Sequence, residues 1–134
     1  MVRGVIVHLD TNVLIGVVGD APPALDALRQ RTVTLTGFAV SAPVWFEFLC
    51  GNPKMPLDDI DIEIARALVQ NRIIPQDDTV ASLAARLFNQ GGRLRGSQLD
   101  CMIAATAIAR DAELFTFNRA DFEPFVKQGL RLLS

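Results

Sequence analysis

Two cysteines and one histidine are the only thiol and imidazole groups in this 134-residue chain, and their spacing suits no soft-metal site. Cys50 and Cys101 sit in separate apolar segments, with no Cys-x-x-Cys pair and no Cys/His cluster, which excludes zinc-ribbon and disulfide-scaffold classes. Buried, reduced thiols in a cytoplasmic protein are the expectation. Long hydrophobic runs are also missing. Val5–Leu9 and Ala42–Leu49 fall well short of the ~20 residues that cross a bilayer, and Met1-Val2-Arg3 leads straight into a strand, so neither export nor membrane anchoring is expected. Positive charge is not in excess. Thirteen Lys and Arg against fifteen Asp and Glu leave a formal charge of −2, so any hold on a polyanion must come from local arginines or from bound metal. A Gly-x-Gly-x-x-Gly turn is absent after the first strand, where Asp10-Thr11-Asn12 stands instead, which argues against dinucleotide binding. No internal repeat, linker or low-complexity segment interrupts residues 1–134, which read as one domain, and a composition half hydrophobic is ample for its core.

What is present alternates. Gly4–Leu9 is β-branched and apolar, as in a central parallel strand, and Asp10 falls at its end. Thr11 or Asn12 is placed to cap a short helix over Val13–Val18, and Pro22-Pro23 to start another over Ala24–Arg31. Val33–Val40 reads as a second strand with an interruption at Gly37; Ser41 or Ala42 with Pro43 then opens a helix over Val44–Cys50, stopped by Gly51-Asn52-Pro53. An acid-started helix over Asp58–Val69 and a brief strand at Ile73-Ile74 follow, then a helix over Val80–Phe88 capped by Asp77 or Asp78. Ser97 is placed to cap a helix over Gln98–Asp111, Leu114–Phe117 reads as a strand, Asp121–Lys127 as a helical turn or two, and Leu130–Leu133 as a last strand. Such alternation predicts an α/β fold, a three-layer α/β/α sandwich around a mostly parallel sheet, with ligands gathering beyond the carboxyl ends of the strands.

Four acids break the patterning of their segments. Asp10 ends an apolar strand; Glu47 is the only charge between Val40 and Leu49; Asp100 shares a helix face with Ile103, Ala104, Ala107 and Ile108; and Asp121 lies beyond a late strand. Each has a bland reading, as a turn cap, an exposed helix end or a first-turn helix acid favoured by only ~0.3 to 1 kcal/mol. Taken together, all four fall at element ends that a doubly wound sheet brings to one edge. Buried carboxylates without lysines or arginines nearby call for a cation. Carboxylate oxygens suit Mg²⁺ or Mn²⁺ rather than zinc, and such ions activate water against phosphate esters. His8, inside the first strand, fits a core or supporting role better than direct ligation.

These residues lie in four motifs: Leu9-Asp10-Thr11-Asn12-Val13-Leu14-Ile15; Ser41 through Gly51 around Trp45-Phe46-Glu47-Phe48; Asp100-Cys101-Met102-Ile103-Ala104-Ala105-Thr106-Ala107; and Thr116-Phe117-Asn118-Arg119-Ala120-Asp121-Phe122. In this order and spacing the chain resembles a PIN-domain ribonuclease, and specifically a VapC-type toxin of type II toxin-antitoxin systems, over essentially its whole length. The resemblance implies that Asp10, Glu47 and Asp100 are the principal metal-site acids, with Asp121 the fourth and Thr11, Thr116 and Asn118 their polar neighbours. Asn118 occupies a slot that other members fill with an acid. Also implied are Mg²⁺- or Mn²⁺-dependent endonucleolytic RNA cleavage, a homodimer, and inhibition by a VapB-type antitoxin whose C-terminal segment covers the active-site groove.

RNA must be held beside acids, and Arg86, Arg93, Arg95 and Arg119 flank the candidate site in sequence, with Gly91-Gly92 and Gly96 loosening that loop; solvated surface arginines are the plainer reading of each. Trp45, Phe46 and Phe48 are candidates for base stacking, although their apolar setting favours core packing or a hydrophobic partner groove. A haloacid-dehalogenase phosphatase is disfavoured because Asn12 stands where its second aspartate belongs. A housekeeping RNA-processing nuclease and a catalytically silent interaction module remain as alternatives.

Overall fold

The computed structural model describes residues 5–19, 26–28, 30, 37–54 and 56–133. In chain order the elements are β1 (Ile6–Leu9), α1 (Thr11–Val18), β2 (Gly37–Ser41), α2 (Ala42–Cys50), α3 (Asp59–Val69), β3 (Ile73–Ile74), α4 (Asp78–Gln90), α5 (Gln98–Ala109), β4 (Glu113–Phe115), α6 (Arg119–Val126) and β5 (Arg131–Leu132). Residues 26–28 and 30 are helical as well, while the Pro22-Pro23 start of that segment and residues 33–36 of the expected second strand lie outside the described residues. Among the described residues no helix is long and apolar enough to cross a membrane.

All five strands run parallel, in the order β3-β2-β1-β4-β5. The chain lays down β1, β2 and β3 outward in one direction, then returns to place β4 and β5 on the other side of β1. The order therefore reverses between β1 and β4, which opens a crevice at the carboxyl ends of those two strands. His8 pairs with Ala39 on one side and Leu114 on the other, so β1 is the central strand. Its Val7 and Leu9 are fully buried, as the apolar run requires, whereas Val5 and Ile6 at its start are 39% and 37% exposed.

Local chemistry sets the helix ends, in places differently from expectation. Asp10, not Thr11 or Asn12, caps α1, its carboxylate accepting from the Thr11 amide at 2.8 Å, and the helix begins two residues early as a result. Ser41 caps α2 ahead of Pro43, and Gly51, at φ +63°, ends it in a conformation that a Cβ disfavours. Asp58 and Asp61 form a reciprocal capping box on α3, and Asp77 caps α4. Ser97 makes no cap bond; its hydroxyl donates to the Leu94 carbonyl, and α5 stops at Ala109 rather than Asp111. The last helix starts at Arg119 rather than Asp121, and β4 and β5 are each shorter than their apolar runs.

The core forms where α2, α3 and α5 meet the sheet, with α4 packed on α5. Trp45 and Phe48 stack with centroids 5.4 Å apart, and both are buried, whereas Phe46 between them in sequence is 59% exposed. Base stacking is thereby closed to Trp45 and Phe48. Cys101 is buried as expected, but Cys50 is exposed, because the last turn of α2 carries it to the surface.

Candidate active site

Asp10 leaves the end of β1 where the strand order reverses, and its amide continues the ladder by donating to the Phe115 carbonyl at 2.9 Å. Its side chain is 6% exposed, so its two oxygens need partners inside the protein. One accepts from the Thr11 amide at 2.8 Å and the other from the Thr116 hydroxyl at 2.7 Å. Thr116 is itself aimed: its oxygen accepts the Asn118 amide at 2.9 Å, which leaves the hydroxyl proton for Asp10. Thr11, opening α1, donates its hydroxyl to Glu47 Oε1 at 2.8 Å and so ties α1 to α2. Asn12 accepts the Phe117 amide at 3.3 Å, a second link between the loops after β1 and β4.

Asp10, Glu47, Asp100 and Asp121 line one cleft of about 330 Å³ at this edge. Thr11, Asn12 and Asn118 supply further oxygens, and Ile15 and Phe122 form apolar walls. Glu47 and Asp100 are half-buried, while Asp121, in the first turn of α6, is exposed. Their fields overlap. Burial raises the Asp10 pKa above the ordinary carboxylate value, hydrogen bonds from Thr116 and Thr11 act against that rise, and Glu47 and Asp121 add to it by repulsion. Asp100 is pushed up to about 6 by burial first, then by Asp10, Asp121 and Glu47. Among the described residues no lysine or arginine lines the cleft.

Among the described residues no three carboxylate, imidazole or thiol groups are drawn into a closed ligand cluster, so the acids surround open space rather than a finished coordination shell. The donor set nonetheless fits a hard divalent ion: oxygens only, mutually repelling, with room for water between them. Asp10, Asp100, Glu47 and Asp121 are the groups positioned to hold one. His8 does not reach this cleft. It is 3% exposed on the opposite side, its pKa lowered to about 4 by burial and then by Arg110.

The four arginines do not gather here. Arg119 donates to the Leu133 carbonyl at 2.8 Å, Arg93 bonds Asn89 and lies 5.0 Å from the Phe88 ring centroid, and Arg86 and Arg95 are exposed elsewhere. Asn12 and Ile15 belong to the first of the four motifs and Phe122 to the last, but nothing in their residue types or spacing marks them as walls of the cleft.

Comparison with known proteins adds to this geometry. A family profile described as PIN domain matches residues 7–124. The sequence matches no functionally curated protein. Similar solved structures include VapBC2 from Rickettsia felis bound to a DNA fragment from its promoter, at 24% identity and TM-score 0.72, covering 96% of this chain and 97% of that one. A toxin-antitoxin complex from Klebsiella pneumoniae is 26% identical, with TM-score 0.68 and coverage of 87% and 90%. FitAcB from Neisseria gonorrhoeae is 21% identical, with TM-score 0.67 and 96% of both chains covered. With a parallel five-stranded sheet, an acid cleft where its strand order reverses and a profile match spanning most of its length, the chain belongs to the PIN domain family.

Proposed function

We propose that this protein is a Mg²⁺- or Mn²⁺-dependent endoribonuclease acting as the toxin of a toxin-antitoxin pair. The observation that carries the reading is the cleft itself, which four acids from four distant segments line with no cationic side chain among the described residues. When bound there, a divalent ion supplies Lewis-acid charge and a water acidic enough to attack a phosphodiester. Asp10 and Asp100 hold the ion, and Glu47 and Asp121 complete the site or orient water. Thr116 and the Thr11 amide fix both Asp10 oxygens, and the Thr11 hydroxyl fixes Glu47, so the carboxylates are oriented before substrate arrives.

The toxin role draws support from the similar Klebsiella pneumoniae structure, whose name describes a toxin-antitoxin complex. It draws further support from an apolar groove of about 530 Å³ lined by Ile15, Val18, Phe48, Pro53, Pro56 and Leu57. Ile15 borders both this groove and the acid cleft, so a VapB-type antitoxin segment lying in the groove would end at the carboxylates. A cytoplasmic homodimer belongs to the same reading. A silent interaction module has no need of four acids facing one cavity.

The test is cleavage of RNA by the purified chain with Mg²⁺ or Mn²⁺, set beside Asp10→Asn and Asp100→Asn. Cleavage should require the ion and disappear in both variants while circular dichroism stays that of the parent. Equal cleavage by parent and variants sinks the assignment.

A further inference from the structure

A larger cavity, about 710 Å³, opens at the opposite edge of the sheet, where the strands begin. Val5 and Ile6 lead into β1, Ile73 starts β3, Glu113 starts β4 and Arg131 starts β5, and all of them line it. Its volume is in the range of small-molecule sites. The acid cleft offers only oxygen acceptors from its charged groups; this cavity offers donors. Arg72 reaches it from the turn before β3, Arg110 from the end of α5 and Arg131 from β5, and His8 lines it from the central strand.

The polar groups here are unequally satisfied. Arg131 is engaged by Asp111, donating to its carboxylate at 3.1 Å and to its carbonyl at 2.7 Å, so that pair is internally neutralised. Arg72 makes a single long bond to the Phe38 carbonyl at 3.4 Å, leaving most of its fork unused. The Arg110 side chain has no hydrogen-bond or ion-pair partner among the described residues, and of the two acids among the residues that line the cavity, Asp111 is committed to Arg131, which leaves Glu113. His8 is the sharper anomaly. It is 3% exposed, and its Nδ1 is buried with no partner. A polar ring atom left without a partner in a central strand costs stability, and the residue that carries it lines this cavity.

We propose that this cavity binds a small phosphomonoester, its phosphate held by Arg72 and Arg110 with His8 beneath and its apolar body against Ile6, Ala39, Ile73 and Ala112. Two guanidinium forks approaching from different elements present more N–H groups than a planar carboxylate can accept, whereas a tetrahedral dianion uses them. The mixed polar and apolar lining matches an ester better than free phosphate. The site is independent of the proposed cleavage reaction, since the sheet separates it from Asp10.

The experiment is a titration of the full chain in EDTA with phenyl phosphate, followed by amide and imidazole NMR signals. Saturable shifts at His8, Ala112 and Glu113 are expected, with a dissociation constant below about 1 mM. Arg110→Gln and Arg72→Gln should each weaken binding about tenfold, and Asp10→Asn should bind as the parent does. Arg110 is exposed, so Arg110→Gln should retain the parent melting temperature, which keeps the test valid should Arg72→Gln misfold. Shifts that stay linear to about 10 mM, undiminished binding by Arg110→Gln, loss of binding in Asp10→Asn, or binding of a 5′-phosphorylated oligonucleotide but not of phenyl phosphate would each overturn the proposal.

Discussion

Thr116 and Asp10, 106 positions apart, share a 2.7 Å hydrogen bond that joins the ends of β4 and β1 across the point where the strand order reverses. Thr116→Val keeps the shape and removes the donor, leaving one oxygen of a buried carboxylate without its partner. Such a loss costs about 1–3 kcal/mol, and supporting residues of this kind typically change metal affinity or activity about 10–100-fold. Thr116→Val is therefore expected to melt several degrees lower and to cleave RNA about 10–100-fold more slowly, while Thr116→Ser, which restores the hydroxyl, stays near the parent. If valine and serine behave alike in cleavage, the bond does not orient Asp10.

Half-buried Asp100 and buried His8 pull the pH dependence of the metal-free protein in opposite directions, and Asp10, raised by burial, acts on the Asp100 side. Asp100 is raised to about 6 from 3.8, so its contribution is fully present below 3.8 and is lost as pH rises through 6. His8 is lowered to about 4 from 6.5, so its contribution is present above 6.5 and is lost as pH falls through 4. Over this shared window they offset one another in the parent. Asp100→Asn removes part of one side. Because Asp100 is half-exposed, screening reduces its share to about 1 kcal/mol, so the variant in EDTA should gain about 3–5 °C in Tm over the parent at pH 7 relative to pH 4. A difference between the two proteins that does not change with pH would refute the assignment. Mg²⁺ should narrow the gap at pH 7 by stabilising the parent alone.

Much of this arrangement was legible in the chain because apolar strands ending in an acid, and acids on apolar helix faces, violate rules that packing enforces strongly. Asp10, Glu47, Asp100 and Asp121 could be singled out that way, and the alternation of elements was enough to fix a parallel α/β sheet. Side-chain direction was less readable. Trp45, Phe46 and Phe48 are equivalent by composition, yet helical geometry buries the outer two and exposes the middle one. Arginine placement was unreadable for a related reason: closeness in sequence to a motif says nothing of where a long flexible side chain finds an acceptor, and Arg119 finds one at Leu133. The cavity built from Arg72, Arg110 and His8 had no local signature, since three separate segments contribute one group each.

Phe48 and Phe46 provide a test of that split within one helix. Phe48 is fully buried against Trp45, and Phe48→Ala leaves a void costing about 3–5 kcal/mol. Phe46 is 59% exposed, and Phe46→Ala should fall within about 0.5 kcal/mol of the parent. Thermal or urea melts of the two variants should therefore diverge by more than 10 °C, roughly. Similar losses in both would mean that α2 is rotated about its axis, and Glu47 would then not face the cleft.

Asp58 and Ser97 look alike in sequence, each a cap-type residue just before a helix, but they do different things. Asp58 accepts the Asp61 amide at 2.9 Å while Asp61 accepts the Asp58 amide at 3.3 Å, satisfying two donors that the start of α3 would otherwise leave open. Ser97 sends its hydroxyl to the Leu94 carbonyl at 2.8 Å and leaves the first amides of α5 unbonded by any side chain. Asp58→Ala should cost about 1 kcal/mol, and Ser97→Ala about 0.5 kcal/mol or less, the share of an exposed hydroxyl-to-carbonyl bond. Equilibrium urea unfolding separates the two. If Ser97→Ala proves the more damaging, its hydroxyl caps α5 in solution, and the loop that delivers Asp100 to the cleft is anchored by the helix start rather than by Leu94.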